Sequence, residues 1–231
     1  MIQTRTLDSY HFGFSLNLTD PQLRTLAGFF HPPDPSDDAP LDGRTCASRL
    51  QLDDIGSVVI KHYRRGGLLR HLIKRRYLKF GKTRGRREFE LLNTAGTLGV
   101  SVPQPVAYAH KGRLFYQAWL ATRAIGESMS LARLSLQDEA QARRAVPLIA
   151  DQIGLLIRNR VLHVDLHPGN VVVDAGGRVY LLDFDKGHFY RGSREKLKRR
   201  YIARWQRAVV KHRLPRSIGD DLRTALQNIR L

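Results

Sequence analysis

The sequence predicts an α+β fold in two lobes, a small antiparallel β lobe with one helix followed by a mostly helical lobe. Strand-like runs rich in β-branched and aromatic residues dominate residues 43–126. Apolar residues at helical spacing dominate the second half of the chain. Two apolar runs within residues 162–187 end in acidic or amide side chains. We therefore expect one lobe over residues 1–121 and a second over residues 122–231.

The first lobe has a clear order of predicted elements. An amphipathic piece, PQLRTLAGFF, lies within residues 1–30, and a connector rich in Pro and Asp follows over residues 31–42. Two strands flank a turn at Asp53-Asp54, and a helix follows Thr83 in RGRREFELLNTAG. Two more strands, VSVPQPVAY and LFYQAWLATRAIG, complete what we expect to be a five-stranded lobe.

The second lobe begins with two helical patterns, LARLSLQDEAQARRA and PLIADQIGLLIRNR. Because proline suits a first helical turn, Pro147 predicts the boundary between these two helices. The final basic stretch, GSREKLKRRYIARWQRAVVKHR, predicts another helix with one apolar face.

Between these helices lie two short loops that carry acidic and amide side chains. Asp165 and Asn170 stand in a D-L-x-x-x-N pattern preceded by His163, and the strand-like run RVYLLDFD ends on Asp183 and Asp185. This is the spacing of the catalytic and metal loops of kinases. The runs VVVD and RVYLLD, joined by Ala175-Gly176-Gly177, predict a hairpin that brings Asn170 near Asp183.

The chemistry of phosphoryl transfer requires these residue types. A carboxylate accepts the proton of the acceptor hydroxyl, and an amide oxygen with a second carboxylate holds Mg²⁺ on the ATP phosphates. In order along the chain, Asp165, Asn170 and Asp183 match these roles. The alternative is an ordinary surface hairpin with unrelated acids. The fold predicted is therefore protein-kinase-like, with residues 1–121 as the nucleotide-binding lobe and residues 122–231 as a shortened catalytic lobe.

Candidate ATP-binding residues lie in the first lobe. Lys61 follows Val58-Val59-Ile60, as the phosphate-binding lysine of kinases follows its strand, and Glu88 shares a helix face with apolar residues from which it could pair with Lys61. Glu90 is the weaker partner. No G-x-G-x-x-G is present, so we place a phosphate-covering turn at Gly43, Arg44 and Thr45.

The composition is strongly basic, with 39 Lys and Arg against 21 acids and a formal charge of +18. Such a surface attracts polyanions. A single cysteine, Cys46, excludes an intrachain disulfide or a cysteine metal cluster and favours a reducing compartment. The start of the chain lacks a signal-peptide pattern and no apolar run is long enough to span a bilayer, so we expect a soluble or peripheral protein on the cytoplasmic side.

Residues 61–87 carry many basic side chains and a single hydrophobic pattern, with no acid among them. After Gly66-Gly67, apolar residues from Leu69 to Phe80 fall on one helix face while Arg70, Lys74, Arg75 and Lys79 lie elsewhere. This pattern predicts a basic amphipathic helix, which either lies on an anionic membrane or packs on its own lobe.

Four motifs carry a family resemblance: HYRRGGL, RREFELL, DLHPGN and DFDKG. From about Gly43 onward the chain resembles the lipopolysaccharide kinases. The resemblance implies ATP- and Mg²⁺-dependent phosphorylation of a hydroxyl of 3-deoxy-D-manno-octulosonic acid (Kdo), in a Kdo-containing lipid A precursor at the cytoplasmic face of a bacterial inner membrane. It implies Asp165 as the base, Asn170 and Asp183 as metal ligands, and Lys61 with Glu88 as the phosphate-positioning pair. DLHPGN alone is less specific, because other small-molecule kinases carry similar loops.

Acceptor contacts are expected at Arg64 and Arg65, because a guanidinium matches a sugar carboxylate in geometry, and at Asp185 and Lys186 beside the metal loop. Three alternatives stay open: a heptose kinase of the lipopolysaccharide core or another small-molecule phosphotransferase, a pseudokinase that binds nucleotide without transfer, and a basic nucleic-acid-binding protein. We expect no nucleic-acid partner, because no nucleic-acid-binding motif accompanies the charge.

Overall fold

The computed structural model describes residues 2–30, 47–63, 77–78 and 81–229, with residues 77–78 described for their backbone alone. The chain divides into two compact units. The first comprises Met1–Glu90 and Gln104–Ala124, and the second Leu91–Pro103 and Ile125–Leu231.

Several predicted features lie outside the described residues. They are the connector over 31–42, Gly43, Arg44, Thr45, Cys46, Arg64, Arg65, Arg70, Lys74, Arg75 and Lys79. Of the basic helix predicted around these last residues, the described part is Tyr77–Leu78, which forms a short strand instead of a helical turn. Its register places Tyr77 opposite Tyr116, so strand pairing overrides the helical pattern at this point.

The first unit is built on an antiparallel sheet with the strand order β1-β2-β6-β7-β4-β3, and β5 pairs with β7. One helix, α1, follows the first hairpin, and the first half of α2 belongs to this unit. The elements are β1 (Gln3–Leu7), β2 (Tyr10–Phe14), α1 (Asp20–Gly28), β3 (Ala47–Leu52), β4 (Gly56–His62), β5 (Tyr77–Leu78), α2 (Arg84–Thr97), β6 (Pro105–Lys111) and β7 (Phe115–Arg123).

The α+β fold is as predicted, but the expectation of a five-stranded lobe is wrong. Within the described residues the sheet has seven strands, because the first residues of the chain form the hairpin of β1 and β2 beside β6, and β5 pairs with β7. Tyr10, Phe12 and Phe14 of β2 are buried. Burial of their apolar side chains stabilises the strand, although the alternation of apolar and polar residues in its sequence is only modest.

An aromatic cluster forms the core of the first unit around the residue that ends the α1 region, Phe30. Its ring stacks on Trp119 with centroids 4.5 Å apart, and its carbonyl accepts a 2.9 Å hydrogen bond from the Trp119 indole. Tyr10 packs edge-on against both rings. The predicted amphipathic piece is confirmed as α1, which begins with a capping box between Thr19 and Gln22.

Alternation along β4 decides which way its side chains face. Val58, Ile60 and His62 are buried while the residues between them are partly exposed. Because successive side chains of a strand point to opposite faces, Lys61 lies on the face opposite Val58 and Ile60. The register places Lys61 between Ala47 of β3 and Leu120 of β7, both in the sheet.

The second unit is mostly helical and carries two small sheets. One sheet has the order β11-β10-β8, and the other pairs β12 with β9. The elements are β8 (Ser128–Ser130), α3 (Leu131–Gln137), α4 (Glu139–Arg158), β9 (Val161–Leu162), a 3₁₀ helix (Pro168–Asn170), β10 (Val171–Asp174), β11 (Val179–Leu181), β12 (His188–Phe189), α5 (Arg194–Lys211) and α6 (Arg216–Asn228).

The predicted hairpin and the predicted basic helix are both confirmed. β10 and β11 pair antiparallel with Val171 opposite Leu181, which joins the two acidic loops. The apolar stripe of α5 is buried, including Leu197, Tyr201 and Trp205. Within the described ranges, no helix has the length and apolar character that crossing a membrane demands.

The boundary predicted at Pro147 is wrong, because Pro147 lies inside α4. The helices divide at Asp138 instead, where the carboxylate accepts a 2.9 Å hydrogen bond from the Gln141 amide and caps α4. Ala142, Ala145 and Val146 before the proline and Ile149 after it are all buried, so packing on both sides keeps the helix continuous through a residue that cannot donate a backbone hydrogen bond.

Substitutions of Asp138 and Pro147 should change the stability of the protein in opposite directions. We expect Asp138→Ala to lower the free energy of unfolding by about 1 kcal/mol through loss of the cap. We expect Pro147→Ala to raise it, by on the order of 1 kcal/mol, because alanine restores a helical donor at an exposed position. Urea denaturation of both variants measures the two changes, and a destabilised Pro147→Ala protein would contradict the continuous helix.

Candidate active site

Lys61 and Glu88 form an ion pair in the first unit. The Lys61 Nζ donates to Glu88 Oε1 at 2.9 Å and to Oε2 at 2.8 Å. The Tyr63 hydroxyl donates to Glu88 Oε2 at 2.5 Å. The pair anticipated from the sequence is therefore present, with Glu88 reaching from α2 to the strand that holds Lys61.

The Glu88 carboxylate of this ion pair is buried, so it depends on the donors around it. The Glu88 side chain is 2 % exposed and the Lys61 side chain 19 % exposed. A carboxylate at that depth is costly unless charged and neutral donors surround it, which is what Lys61 and Tyr63 provide. The Tyr63 ring also lies beneath two cations, with Lys61 Nζ 5.2 Å and the Arg84 guanidinium 5.1 Å from its centroid.

Glu90 lies two residues further along α2 and has different partners. Its carboxylate accepts from Lys82 Nζ at 2.7 Å and from Arg86 Nε at 2.9 Å. These hydrogen bonds and charges lower the pKa of Glu90, although its partial burial opposes them as the largest single effect. Glu90 is therefore engaged away from Lys61.

In the second unit, Asp165 and Asn170 lie in the loop between β9 and β10. The Asn170 Nδ2 donates to the Asp165 backbone carbonyl at 2.9 Å, and the Asn170 amide N–H donates to the His167 carbonyl at 2.8 Å. Because the Asn170 nitrogen donates within the loop, the amide oxygen Oδ1 is the atom of this side chain that can accept a hydrogen bond or bind a cation. The Asp165 side chain is 47 % exposed.

The loop is held in place by hydrogen bonds to its neighbours, and His163 makes one of them. The buried His163 ring donates from Nε2 to the Leu182 carbonyl at 2.8 Å and packs on Phe184 at 4.5 Å between centroids. The Leu182 amide in turn donates to the Asn170 carbonyl at 2.9 Å. These bonds tie the segment that carries Asp165 to the segment that carries Asp183.

The Asp183 loop has a tight backbone. Asp183 adopts a positive φ of 62° and its Oδ1 accepts from the Asp185 amide at 3.4 Å. Phe184 is buried, which anchors the loop between the two acids. A side chain at Gly187 would meet Leu91 at 2.5 Å and the Phe184 carbonyl at 2.9 Å, so the loop closes only with glycine there. A non-glycine residue at positive φ is typical of functional loops.

His167 is part of the loop that carries Asp165 and Asn170, and it contacts His212 at the end of α5. Burial lowers the pKa of His167. The rings of His167 and His212 stack with centroids 6.0 Å apart, and the charges of His212 and Lys211 lower this pKa further. The charge of Asp183 acts in the opposite direction and raises it. His167 also caps the 3₁₀ helix, since the Gly169 amide donates to its Nδ1 at 3.1 Å. It is therefore a neutral structural residue of the loop at pH 7.

Sequence reasoning missed two residues of α5 that contact the loop. The buried Tyr201 hydroxyl donates to the Val161 carbonyl at 2.8 Å and accepts from the His163 amide at 2.8 Å. Arg204, one turn further along α5, forms an ion pair with Asp165 through Nη2 and Oδ1. Their spacing places both on one side of the helix, but no sequence signal connects that side to backbone groups 38 and 40 residues earlier in the chain.

The remaining predicted site residues have weaker structural support. Lys186 is exposed and Asp185 is partly exposed, both in the loop that follows Asp183. The phosphate-covering turn at Gly43, Arg44 and Thr45 and the acceptor arginines Arg64 and Arg65 lie outside the described residues.

Comparison with known proteins decides the family. A model of the Lipopolysaccharide kinase (Kdo/WaaP) family matches residues 41–221. The chain belongs to this family. It is therefore a phosphotransferase that uses ATP and acts on a hydroxyl group, with the kinase-like fold of the family.

Curated relatives agree with the family model. The chain is similar to proteins named 3-deoxy-D-manno-octulosonic acid kinase from several bacteria. The one from Vibrio vulnificus strain CMCP6 is 35 % identical over 179 residues, which cover 76 % of this chain and 74 % of the relative. The one from Photobacterium profundum is 35 % identical over 70 % of this chain and 68 % of the relative. The one from Vibrio cholerae is 32 % identical over 71 % of this chain and 69 % of the relative.

Proposed function

We propose that this family member transfers the γ-phosphoryl group of ATP to a hydroxyl of Kdo in a Kdo-containing lipid A precursor. The similarity of about three quarters of the chain to a named Kdo kinase carries the choice of sugar. Contacts within each unit support the reaction: Glu88 holds Lys61 in the first unit, and the Asn170 side chain is bonded to the backbone of Asp165 in the second.

Asp165 is the base in this proposal. Its carboxylate accepts the proton of the acceptor hydroxyl as the oxygen forms a bond to the γ-phosphorus. The bond between that phosphorus and the bridging oxygen to the β-phosphate breaks, and ADP leaves. The partial exposure of Asp165 supports this role, because a base has to reach a substrate that enters from solvent.

Lys61 is the phosphate-binding residue in the proposal, and Glu88 holds it. A lysine ammonium on a four-carbon chain has many rotamers, and an ion pair with two carboxylate oxygens restricts them. Fixing the cation before ATP binds reduces the entropy lost on binding.

Asn170 and Asp183 would hold Mg²⁺ in this proposal. The fit rests on their donor set: Asn170 has its nitrogen bonded within the loop, which leaves its amide oxygen as a ligand atom, and Asp183 adds a carboxylate. Magnesium in kinase sites takes one or two protein ligands and completes its coordination with phosphate oxygens and water, so two side chains are enough. The bound ion would supply positive charge next to the phosphates.

We further propose that the protein works at the cytoplasmic face of the bacterial inner membrane, bound to the anionic surface. The described residues include a basic patch that fits this partner, which we define as Arg191, Lys196, Arg199 and Arg200. All four are exposed, and the Arg200 guanidinium lies 5.3 Å from the centroid of the Tyr190 ring. Next to Tyr190, the Phe189 side chain is 59 % exposed.

The patch combines the two features that anionic lipid surfaces attract. Each basic residue near such a surface adds about 1 kcal/mol of attraction, and an exposed aromatic ring can enter the head-group region. The formal charge of +18 adds a long-range attraction of the same sign.

The first test measures phosphate transfer from labelled ATP, with Mg²⁺, to a mono-Kdo lipid A precursor and separately to a heptosylated core acceptor. We expect label on the Kdo acceptor. We expect Asp165→Asn to lower turnover by a factor on the order of 10² or more, because the base is lost while ATP binding is kept.

Asp151→Asn is the matched control, because Asp151 is an exposed aspartate of α4 outside the proposed site. Label on the heptosylated acceptor alone would move the substrate to heptose. Magnesium-dependent ATP binding without transfer to either acceptor would favour the pseudokinase, and full turnover of Asp165→Asn would remove Asp165 from the mechanism.

The second test measures sedimentation with vesicles that contain anionic lipid. We expect a triple variant, Lys196→Gln, Arg199→Gln and Arg200→Gln, to bind several-fold more weakly than the parent, and more so at low salt. A control with equal charge loss replaces Arg113, Arg133 and Arg144, which are exposed outside the patch. Equal binding by the two triple variants would show that net charge acts without the patch.

A further inference from the structure

Helix α5 contacts the loop of Asp165 through two side chains one turn apart. Tyr201 holds the backbone on both sides of Leu162, with 2.8 Å hydrogen bonds to Val161 and His163. Burial of this hydroxyl raises the pKa of Tyr201, so it stays a neutral donor at any working pH. The tyrosine therefore fixes where the loop lies relative to α5.

Arg204 contacts the reactive side chain of the same loop. Its Nη2 pairs with Asp165 Oδ1. The Asn170 side chain does not share this task, because it binds the Asp165 backbone carbonyl and not the carboxylate. Arg204 thus orients a group that otherwise could rotate about its side-chain torsions.

The energetics favour a functional role for this ion pair over a structural one. The two side chains are 40 % and 47 % exposed, and ion pairs this exposed contribute about 0–1 kcal/mol to folding. The Arg204 Nε is buried and has no hydrogen-bond partner among the described residues, which costs stability. Since little folding energy is gained, the contact is better explained by what it does to Asp165.

We propose that Arg204 is a positioning residue for phosphoryl transfer: it holds Asp165 Oδ1 so that Oδ2 faces the acceptor hydroxyl. This inference rests on the proposed function of Asp165 as the base. Arg204 itself touches neither acceptor nor nucleotide in this role. A carboxylate held in one rotamer spends more time in the geometry that accepts the proton, which raises kcat and not affinity.

The test compares Arg204→Gln, Arg204→Lys and Arg204→Ala with the control Arg207→Gln, an exposed arginine one turn further along α5. We expect Arg204→Gln to lower kcat by a factor of about 10 to 100, with the KM values for ATP and for the Kdo acceptor within about twofold of the parent. Arg207→Gln removes the same charge and should keep the parent kcat.

Two further measurements separate positioning from loss of structure. Thermal melting of each variant should give a midpoint near that of the parent, as expected for a half-exposed ion pair. Guanidinium ion, added well below denaturing concentrations, should restore part of the lost kcat in Arg204→Ala but not in Asp165→Asn, because it can replace the missing cation and not the missing base.

Each outcome decides the inference. Parent kcat in Arg204→Gln or Arg204→Lys would overturn it, and so would a raised acceptor KM at unchanged kcat, which would make Arg204 an acceptor-binding residue. If Arg204→Gln fails to fold, Arg204→Lys tests the inference in its place. We expect this variant to have a lowered kcat at unchanged KM, because an ammonium group cannot reproduce the geometry of the guanidinium. A parent protein that transfers no phosphate would contradict the proposed function instead.

Discussion

The buried carboxylate of Glu88 is the constraint on which the first unit depends. At 2 % exposure it requires donors from elsewhere in the fold, and it receives them from Lys61 and Tyr63. Both donors come from the end of β4, so the pairing of β4 with β3 and β7 has to keep a register that directs Lys61 toward α2. A slip by one residue would turn Lys61 to the opposite face and leave the carboxylate buried without its cation.

In the second unit, the carboxylate proposed as the base has the opposite environment. Asp165 stays partly exposed, and the scaffold controls it through groups around it: the Asn170 side chain, the His163 ring and α5. A residue that exchanges a proton with a substrate has to be within reach of that substrate, whereas the counter-ion of a lysine does not. The difference in burial between the two acids therefore follows the difference in their proposed roles, a counter-ion for a cation and a base for a hydroxyl.

The sequence predicted several local contacts, because short spacings place side chains on loops and faces that follow directly from backbone geometry. The glycines between β10 and β11 predicted the hairpin, and the helical face of Glu88 distinguished it from Glu90 as the partner of Lys61. The roles predicted for Asp165 and Asn170 from the D-L-x-x-x-N pattern stay predictions. Element boundaries were harder. Pro147 is a poor helix residue by propensity, yet packing on either side keeps it within α4.

The contacts between α5 and the loop of Asp165 could not be predicted from the sequence. Arg204 lies on a helix whose basic residues look alike, and its pairing with Asp165 depends on how α5 packs against the loop. The hydrogen bonds of Tyr201 are similar, since the sequence places this residue on the apolar stripe and only the fold brings its hydroxyl to the backbone beside His163. The first hairpin, β1 and β2, was missed because its alternation is weak outside Tyr10 to Phe14.

We propose that Lys61 positions ATP for transfer and that its ion pair with Glu88 fixes the Lys61 ammonium. The most direct test is the steady-state kinetics of Glu88→Gln beside Glu90→Gln, an acid of the same helix that pairs with Lys82 and Arg86 instead. We expect Glu88→Gln to lower kcat/KM for ATP by a factor on the order of 10², and we expect the kcat/KM of Glu90→Gln to stay within about twofold of the parent value. Equal kinetics for the two variants, with both proteins folded, would contradict it.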